Sequence, residues 1–419
     1  MKKIYYWLIV AVALSLGSCE NDDTDFSSII DSLTAEEETS GEDDGDGSEE
    51  GEEEEDEPGS DAKQIAFDYT ALEDEDEETF DSDDGDYVEN RSFAGTLYIE
   101  YNGSEASITG DTDLVTVTSD GAHITVNSSK KMEYVLSGNS DDGCLKIEDT
   151  ETFMKIILDG VTLNNPNGAA INCQSSKSMY MVLADGTENT LSDGTSYSMV
   201  SGEDMKGTIF SEGQIIFSGS GTLDVYANCK NAIASDDYLV FRPGNVINVY
   251  SYASNGLKAN DGVFIRGGVL NIEINANGAK GINSETNLDV TGGRTTIITY
   301  GDTATEDSDT KSCAGIKTDY WVLITGGEIN LKSTGEGGKG INCSTDITFS
   351  GGTLNSVTLG AKGETSPKGI KADGLIDITG GYIYSYSLYS YPIEAESGVS
   401  YAEGYSSLTF TDTLFEIEY

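Results

Sequence analysis

Short segments in which apolar and polar residues alternate recur along the chain from about residue 165 to the C-terminus. Segments such as 288–290 (Leu-Asp-Val) and 322–324 (Val-Leu-Ile) alternate with a period of two, which is typical of β-strands with one buried face. Each segment precedes a glycine doublet, and a second alternating segment follows the doublet. The doublets are Gly267-Gly268, Gly292-Gly293, Gly326-Gly327, Gly351-Gly352 and Gly380-Gly381.

A third short element lies between successive doublets and carries one aliphatic residue. These residues are Ile171, Ile209, Ile233, Leu257, Ile282, Ile316, Ile341, Ile370 and Ile393. Their spacing is close to 24 residues except at three points, where we expect insertions near 195–206, 302–311 and 360–367. A unit of this length with three short strands, repeated in phase nine times, predicts an all-β parallel β-helix of nine clear coils at 166–419, ending in a C-terminal cap.

Residues 62–165 also show strand alternation, but their repeat is looser. We expect them to form N-terminal capping coils, because a solenoid must cover the open edge of its first coil.

The cysteines fit the repeat rather than a disulfide framework. Cys173 and Cys343 belong to a column of small residues that follows each repeated aliphatic by two positions. The spacing of the others matches neither a disulfide framework nor a zinc site. We therefore expect buried free thiols.

The N-terminus predicts export and lipid anchoring. Residues 1–18 combine Lys2 and Lys3 with an apolar run too short to span a membrane, followed by small residues before Cys19. This layout resembles a bacterial lipoprotein signal with Cys19 as the lipidated residue. We expect 19–61 to be an acidic disordered tether, and the acids directly after Cys19 resemble a signal for the outer face of the outer membrane.

The net charge of −52 at pH 7 excludes nucleic acid as a partner and limits membrane contact to the lipid anchor. The charge is concentrated at one end, since 33 acidic residues and one lysine lie between Glu20 and Glu89. The chain has a single histidine, His123, which is more typical of a structural residue in an early strand than of a catalytic base.

Several motifs resemble the bacterial carbohydrate-binding domain-containing proteins. They include 159–164 (Asp-Gly-Val-Thr-Leu-Asn), 183–194, 206–213 and the repeated Gly-Ile or Gly-Leu units, and the similarity runs from about Ile65 to about Gly381. The resemblance implies a right-handed β-helix like that of pectate lyases. It also implies non-catalytic binding of plant-type polysaccharide, including acidic sugars, with calcium in some members.

The sequence departs from that family where members often carry Asp before the repeated Gly. Here the position holds Asn231, Asn255, Lys280, Ala314, Lys339 and Lys368, which counts against calcium there. Oxygen ligands occur instead at Asp236, Asp237, Asn260 and Asp261, three or four residues after a repeated aliphatic. Stacked carboxylates repel each other, so this set predicts a calcium site; capping of turns is the alternative.

Two sets of side chains are candidates for carbohydrate binding. Lys258, Lys317 and Lys371 each follow a repeated aliphatic by one position and could form a basic stripe, or could pair with neighbouring acids. Tyr382, Tyr384 and Tyr386 alternate on one strand and could stack on sugar rings, or could cover the last coil.

We predict a surface lipoprotein that binds polysaccharide, with calcium as the candidate cofactor and no catalytic residue. The rival predictions are a calcium-assisted polysaccharide lyase on the same fold and a surface adhesin or structural rod. Against the lyase, the lysines are repeated rather than unique, and the arginines lie beside Gly or Pro turns.

Overall fold

The computed structural model describes residues 62–73, 75, 84–148, 150–306 and 308–419. The predicted signal sequence, Cys19 and the predicted tether lie outside these residues. Within them, the regular structure is almost entirely β, with two short 3₁₀ helices at Val88–Asn90 and Thr112–Leu114.

The strands are numbered β1 to β37 in chain order. The N-terminal strands are β1 (Gly95–Asn102), β2 (Glu105–Gly110), β3 (Thr116–Asp120), β4 (Ala122–Asn127), β5 (Met132–Ser140), β6 (Gly143–Ile147) and β7 (Met154–Asn165). The central strands are β8 (Ile171–Cys173), β9 (Met179–Leu183), β10 (Glu188–Asp193), β11 (Gly207–Ser211), β12 (Ile215–Gly219), β13 (Thr222–Ala227), β14 (Asn231–Ser235), β15 (Tyr238–Phe241), β16 (Val246–Ser251), β17 (Leu257–Ala259), β18 (Gly262–Ile265), β19 (Val269–Ile274), β20 (Lys280–Ser284), β21 (Leu288–Val290) and β22 (Arg294–Thr299). The remaining strands are β23 (Ala304–Glu306), β24 (Asp309–Lys311), β25 (Ala314–Thr318), β26 (Val322–Ile324), β27 (Glu328–Ser333), β28 (Lys339–Cys343), β29 (Ile347–Phe349), β30 (Thr353–Thr358), β31 (Lys368–Ala372), β32 (Ile376–Ile378), β33 (Tyr382–Ser387), β34 (Ile393–Ala395), β35 (Val399–Tyr401), β36 (Ser407–Phe410) and β37 (Leu414–Glu418).

The strands stack into three parallel ladders, which we call sheets 1, 2 and 3. Sheet 1 runs from β4 through β6, β8, β11, β14, β17, β20, β25, β28 and β31 to β34. Sheet 2 runs from β9 to β35 and sheet 3 from β10 to β33, and the long strand β7 pairs with the first strand of both. The result is a β-solenoid of about 11 turns, which confirms the predicted parallel β-helix.

Each coil passes through sheet 1, sheet 2, a bend and sheet 3. The bend falls at the glycine doublets, where the second glycine has a φ of 75° to 82°, a conformation that favours glycine. Five of the nine repeated aliphatics follow a glycine directly, and this glycine is required for a different reason. A Cβ on Gly340 would lie 1.9 Å from Ser356 Oγ of sheet 3, so a side chain does not fit at that corner.

The predicted columns point inward. All nine repeated aliphatics are buried, and so are the small residues two positions later except the last, Ala395, which is partly exposed. All five cysteines of the described residues are free, as predicted. Cys173, Cys313 and Cys343 are also buried, whereas Cys144 and Cys229 are partly exposed, contrary to the prediction. The three insertions all connect sheet 3 to sheet 1, and one of them contains the β23–β24 hairpin.

Both ends of the solenoid are covered by antiparallel hairpins. At the N-terminal end β1 pairs with β2 and β3 pairs with β4, and at the C-terminal end β37 pairs antiparallel with both β33 and β36. Because these hairpins occupy the open strand edges, they oppose end-to-end aggregation.

The described residues within 62–91, a segment that the sequence pattern assigned to the capping coils, instead lie on the outside of the solenoid. We call the described part of this segment the strap. Lys63 contacts Tyr384 and Asn355 near the C-terminal end, whereas the Gly85 carbonyl accepts a hydrogen bond from Tyr180 near the other end. The strap therefore runs along the solenoid, opposite in direction to the progress of the coils.

Arginines of sheets 2 and 3 bind the acidic side chains of the strap. Arg242 bonds to Glu89 at 2.9 Å, Arg266 to Asp86 at 2.9 Å, and Arg294 to Asp68 at 3.1 Å. Glu75 accepts hydrogen bonds from the backbone N–H groups of Gly244 and Gly268 at the bend between the sheets. The arginines beside Gly and Pro turns thus have a structural partner inside the same chain.

Candidate functional site

The outer face of sheet 1 carries a column of alternating lysine and asparagine. Lys258, Asn283, Lys317, Asn342 and Lys371 pair in register through five successive coils. Since adjacent parallel strands lie about 4.8 Å apart, the lysines recur about every 10 Å along the solenoid. The predicted basic stripe therefore exists as one aligned column, and the asparagines between the lysines were not singled out by the sequence pattern.

Each lysine of the column also has an acidic neighbour. Lys258 Nζ lies 2.6 Å from Glu285, Lys317 Nζ lies 2.5 Å from Asp319, and Lys371 contacts Asp373. The acids belong to the polar column three positions after the repeated aliphatics. Exposed ion pairs of this kind contribute roughly 0–1 kcal/mol, so a ligand carboxylate can replace the partner at little cost.

A second lysine column lies at the corner between sheets 3 and 1. Lys339 pairs in register with Lys368, and its amine donates to Ser312 Oγ at 2.7 Å. The Lys339 side chain is buried, and its pKa falls to about 8, first because of burial and then because of the charges of Lys371, Lys280 and Lys368. Lys339 occupies the position where the resembling family often has Asp, so this departure replaces an anion with a poorly solvated cation.

A groove of about 510 Å³ lies on sheet 1, and Lys206, the last residue of an insertion, is part of its lining. The groove is lined by three lysines and two acids among its polar residues, which include the predicted residues Lys258, Asp236 and Asn260. The other charged residues of the lining are Lys206, Lys230 and Glu285. The protein as a whole has a net charge of −52, but this groove has more ammonium than carboxylate groups. An acidic ligand is therefore repelled less here than by the rest of the surface.

An acidic cluster lies next to this groove. Oxygen atoms of Asp204, Glu212 and Asp236 lie within 4.8 Å of one another. Lys206 Nζ binds Asp236 at 2.5 Å and Asp204 at 3.1 Å. Burial raises the pKa of Glu212, and the neighbouring charge of Asp236 raises it further. The cluster thus has more negative charge than its lysine neutralises.

The four predicted metal ligands divide into two pairs. Asn260 Nδ2 lies 3.4 Å from Asp236 Oδ1, on the side of Lys206. Asp237 instead lies near Asp261, and its pKa is raised first by burial and then by that charge. The structure therefore groups Asp236 with Glu212, which holds the same column position one coil earlier, and with Asp204 of the preceding insertion. Neither Glu212 nor Asp204 was among the predicted metal ligands.

The tyrosine row of β33 lies under the strap. Tyr384 is 9% exposed and Tyr386 is 7% exposed, and both pack with Ala62 and Ile65. The amine of Lys63 lies 5.0 Å from the ring centre of Tyr382. These rings can stack on a sugar only if the strap leaves, so they belong to the covered side of the solenoid.

The described helices include none that is long and apolar enough to cross a membrane. His123 hydrogen-bonds to Asp142 at 2.8 Å and to the Cys144 thiol at 3.3 Å, at the N-terminal end of sheet 1. Burial raises the pKa of Cys144 to about 11, and so this thiol stays protonated near neutral pH and is a weak nucleophile.

A parallel β-solenoid belongs to the class of repeat proteins in which each coil packs only on its neighbours. The sequence profile of the family described as carbohydrate-binding domain-containing protein matches residues 111–280 and 271–363. The chain belongs to this family, which confirms the resemblance seen in its motifs.

Two individual proteins are similar to parts of the chain. A carbohydrate-binding domain-containing protein of Acetivibrio thermocellus is 32% identical over 133 residues, which are 30% of this chain and 46% of that relative. The matched part thus spans less than half the length of the relative. A solved structure of a polysaccharide lyase-like protein from C. thermocellum, a gadolinium derivative, is 19% identical with a TM-score of 0.40, covering 74% of this chain and 98% of that one.

Proposed function

We propose that this protein binds polysaccharide along the outer face of sheet 1 and does not cleave it. Family membership supports carbohydrate binding. The observation that carries the choice of face is the in-register alternation of Lys258, Asn283, Lys317, Asn342 and Lys371. The described strap lies on sheets 2 and 3, so it does not compete for this face.

The chemistry of the column favours a linear glycan with acidic groups. A chain lying along the solenoid can place carboxylates against lysines two coils apart, while asparagine amides between them donate to and accept from sugar hydroxyls. The groove at Lys206 and Lys230 continues the same face toward the N-terminal end. We also propose that Cys19 carries the lipid that holds the protein on the outer membrane, facing the exterior.

Replacing the three lysines of the column with glutamine is expected to weaken binding of polygalacturonate by roughly tenfold to a hundredfold, because each exposed ion pair contributes up to about 1 kcal/mol. The measurement is retardation in an affinity gel. The matched control replaces the exposed residues Lys130, Lys131 and Lys177, which changes the net charge equally away from sheet 1. Equal retardation of both triple variants would place binding elsewhere.

A lyase on the same fold is the second candidate, and Lys339 is the observation that favours it. A lysine with a pKa of about 8 can act as a base near neutral pH. Polygalacturonate incubated with the protein and calcium separates the two functions through the absorbance of unsaturated uronate. A steady rise that is lost in Lys339→Met establishes cleavage, and a flat trace with gel retardation establishes binding alone.

We propose calcium as a ligand of the Asp204, Glu212 and Asp236 cluster. Carboxylate oxygens are the ligands that calcium prefers, and Lys206 is the cation that now neutralises part of the cluster. Lys206→Met is therefore expected to tighten calcium binding about tenfold, whereas Asp236→Asn abolishes it. Calorimetry on metal-stripped protein measures both. If Lys206→Met binds calcium no better than the parent, the ion is not held at this cluster.

A further inference from the structure

A polar groove of about 450 Å³ lies between the strap and the outer face of sheet 3. One side is formed by strap residues, among them Lys63 and Asp68, and the other by side chains from three successive coils. The sheet 3 residues are Arg294, Thr296, Glu328, Asn330, Thr353 and Asn355. They form two columns of three, because β22, β27 and β30 pair in register.

Hydrogen bonds already orient the side chains around the groove. Lys63 Nζ donates to Asn355 Oδ1 at 2.6 Å, Asn355 Nδ2 donates to Asn330 Oδ1 at 2.7 Å, and Asn330 Nδ2 donates to Glu328 at 2.8 Å. This series of hydrogen bonds connects Lys63 of the strap to both columns of sheet 3 side chains. Orienting the groups before a ligand arrives lowers the entropy cost of binding.

Two polar groups of the lining lack any partner in the described structure. Thr296 is 1% exposed, and its hydroxyl has no hydrogen bond. Arg294 Nε is likewise buried and unpaired, although the guanidinium binds Asp68 and the carbonyl of Thr70 through its other nitrogens. Buried polar groups are nearly always satisfied, and these two belong to the lining, so a group that enters the groove can supply the partner that they lack.

We propose that this groove is a second carbohydrate subsite, which takes a short neutral segment of glycan and uses the strap as one wall. It rests on the proposed function but lies on a different face from the lysine column. The volume falls in the range of small-molecule sites. The charged lining residues, Lys63 and Arg294 against Asp68 and Glu328, cancel, which suits hydroxyl groups that both donate and accept.

The strap supplies part of the lining of the subsite. Lys63 and Asp68 precede residue 111, where the family match begins. The covered side of the solenoid thus gains a site that sheet 3 alone does not form. A ligand in the groove contacts the strap and sheet 3 at once and therefore binds only the docked state, so its binding also stabilises the docked strap.

The sharpest test compares two threonines on one strand. Thr296 lines the groove, whereas Thr295 aligns with the core residues Leu270 and Ile329 and also has an unpaired buried hydroxyl. Replacing either by Val removes an unsatisfied group, so neither variant is expected to unfold at a lower temperature than the parent. Thr296→Val is expected to bind the neutral hexasaccharide that the parent binds about tenfold more weakly than the parent does. Thr295→Val is expected to bind it with the affinity of the parent.

The probes are gluco-, xylo-, manno- and galacto-configured neutral hexasaccharides and polygalacturonate, measured by calorimetry. Lys63→Met is expected to weaken neutral binding as Thr296→Val does, while Lys177→Met, an exposed lysine away from the groove, has no effect. The triple lysine variant of sheet 1 is expected to lose polygalacturonate and keep the neutral ligand.

Each outcome decides one of the two proposals. If the parent binds polygalacturonate but no neutral hexasaccharide, or if Thr296→Val binds as Thr295→Val does, the groove holds water only and the subsite is refuted while the proposed function stands. If the parent retains none of the probes, the proposed function fails and the subsite fails with it.

Discussion

Replacing Lys339 with Met is expected to stabilise the protein by about 3 kcal/mol at neutral pH, with the gain vanishing above pH 10.5. The buried amine has a pKa of about 8 in the folded protein and a reference value of 10.5. Below pH 8 both states carry the proton, and the folded state bears the whole cost of the buried charge. Between pH 8 and 10.5 the Lys339 amine is protonated only in the unfolded state, so the free energy of unfolding of the parent rises with pH.

The difference in unfolding midpoint between parent and Lys339→Met, recorded from pH 6.5 to pH 10.5, isolates this residue from other titrations. The difference should be largest below pH 8 and shrink as the pH rises. Lys177→Met is the matched control, since Lys177 is exposed and its removal relieves no burial. A difference that is independent of pH would mean that Lys339 gains apolar contacts as Met rather than losing a buried charge.

Replacing Arg266 with Glu is expected to release the strap. Arg266 lies 2.9 Å from Asp86 and 3.6 Å from Asp84, so the variant sets three carboxylates against one another. Breaking a partly buried pair and adding repulsion weakens docking by about 3 kcal/mol, which raises the undocked population about a hundredfold. The coils should stay folded, because the repeated aliphatics lie inside the solenoid and do not contact the strap.

Hydrogen exchange of residues 84–91 measures the release, and protease cleavage in the same segment provides a second readout. The control is Lys177→Glu, which changes the net charge by the same amount outside the strap. Wild-type protection in Arg266→Glu would show that Glu75, Asp68 and the apolar contacts of Ala62 and Ile65 hold the strap without this pair.

The repeat was predictable because residues close together in the sequence carry its two signals, the alternation within each strand and the regular spacing of the coils. Parallel in-register stacking places each member of a column on the next, so a spacing of about 24 residues determines that Lys258, Lys317 and Lys371 lie on one face. The same reasoning found the inward cysteines Cys173 and Cys343 and the positions of the three insertions along the chain.

The candidate sites were predicted less completely, because they combine residues from different coils and insertions. Asp236 was chosen with its sequence neighbours, yet it meets Asp204 from the preceding insertion. The strap was missed because the register rules that relate one coil to the next do not apply to it. Its contacts join residues as far apart in sequence as Lys63 and Tyr384. One sequence signal could have indicated the strap, namely acidic residues before the repeat together with arginines beside the turns of the repeat, which can form ion pairs.

The sequence by itself determined the coil, its inward columns and the bends at glycine doublets, since each follows from a period of two within a strand and a period of about 24 between coils. The family was indicated separately, by the resemblance of individual motifs. Only the tertiary structure decided which outer face stays open. The strap covers Tyr384 and Tyr386, and ion pairs between its carboxylates and arginines of sheets 2 and 3 hold it in place. The pKa of Lys339 is lowered because packing between coils buries its amine away from water. Burial and long-range charge pairing depend on distances in space, and no local pattern contains them.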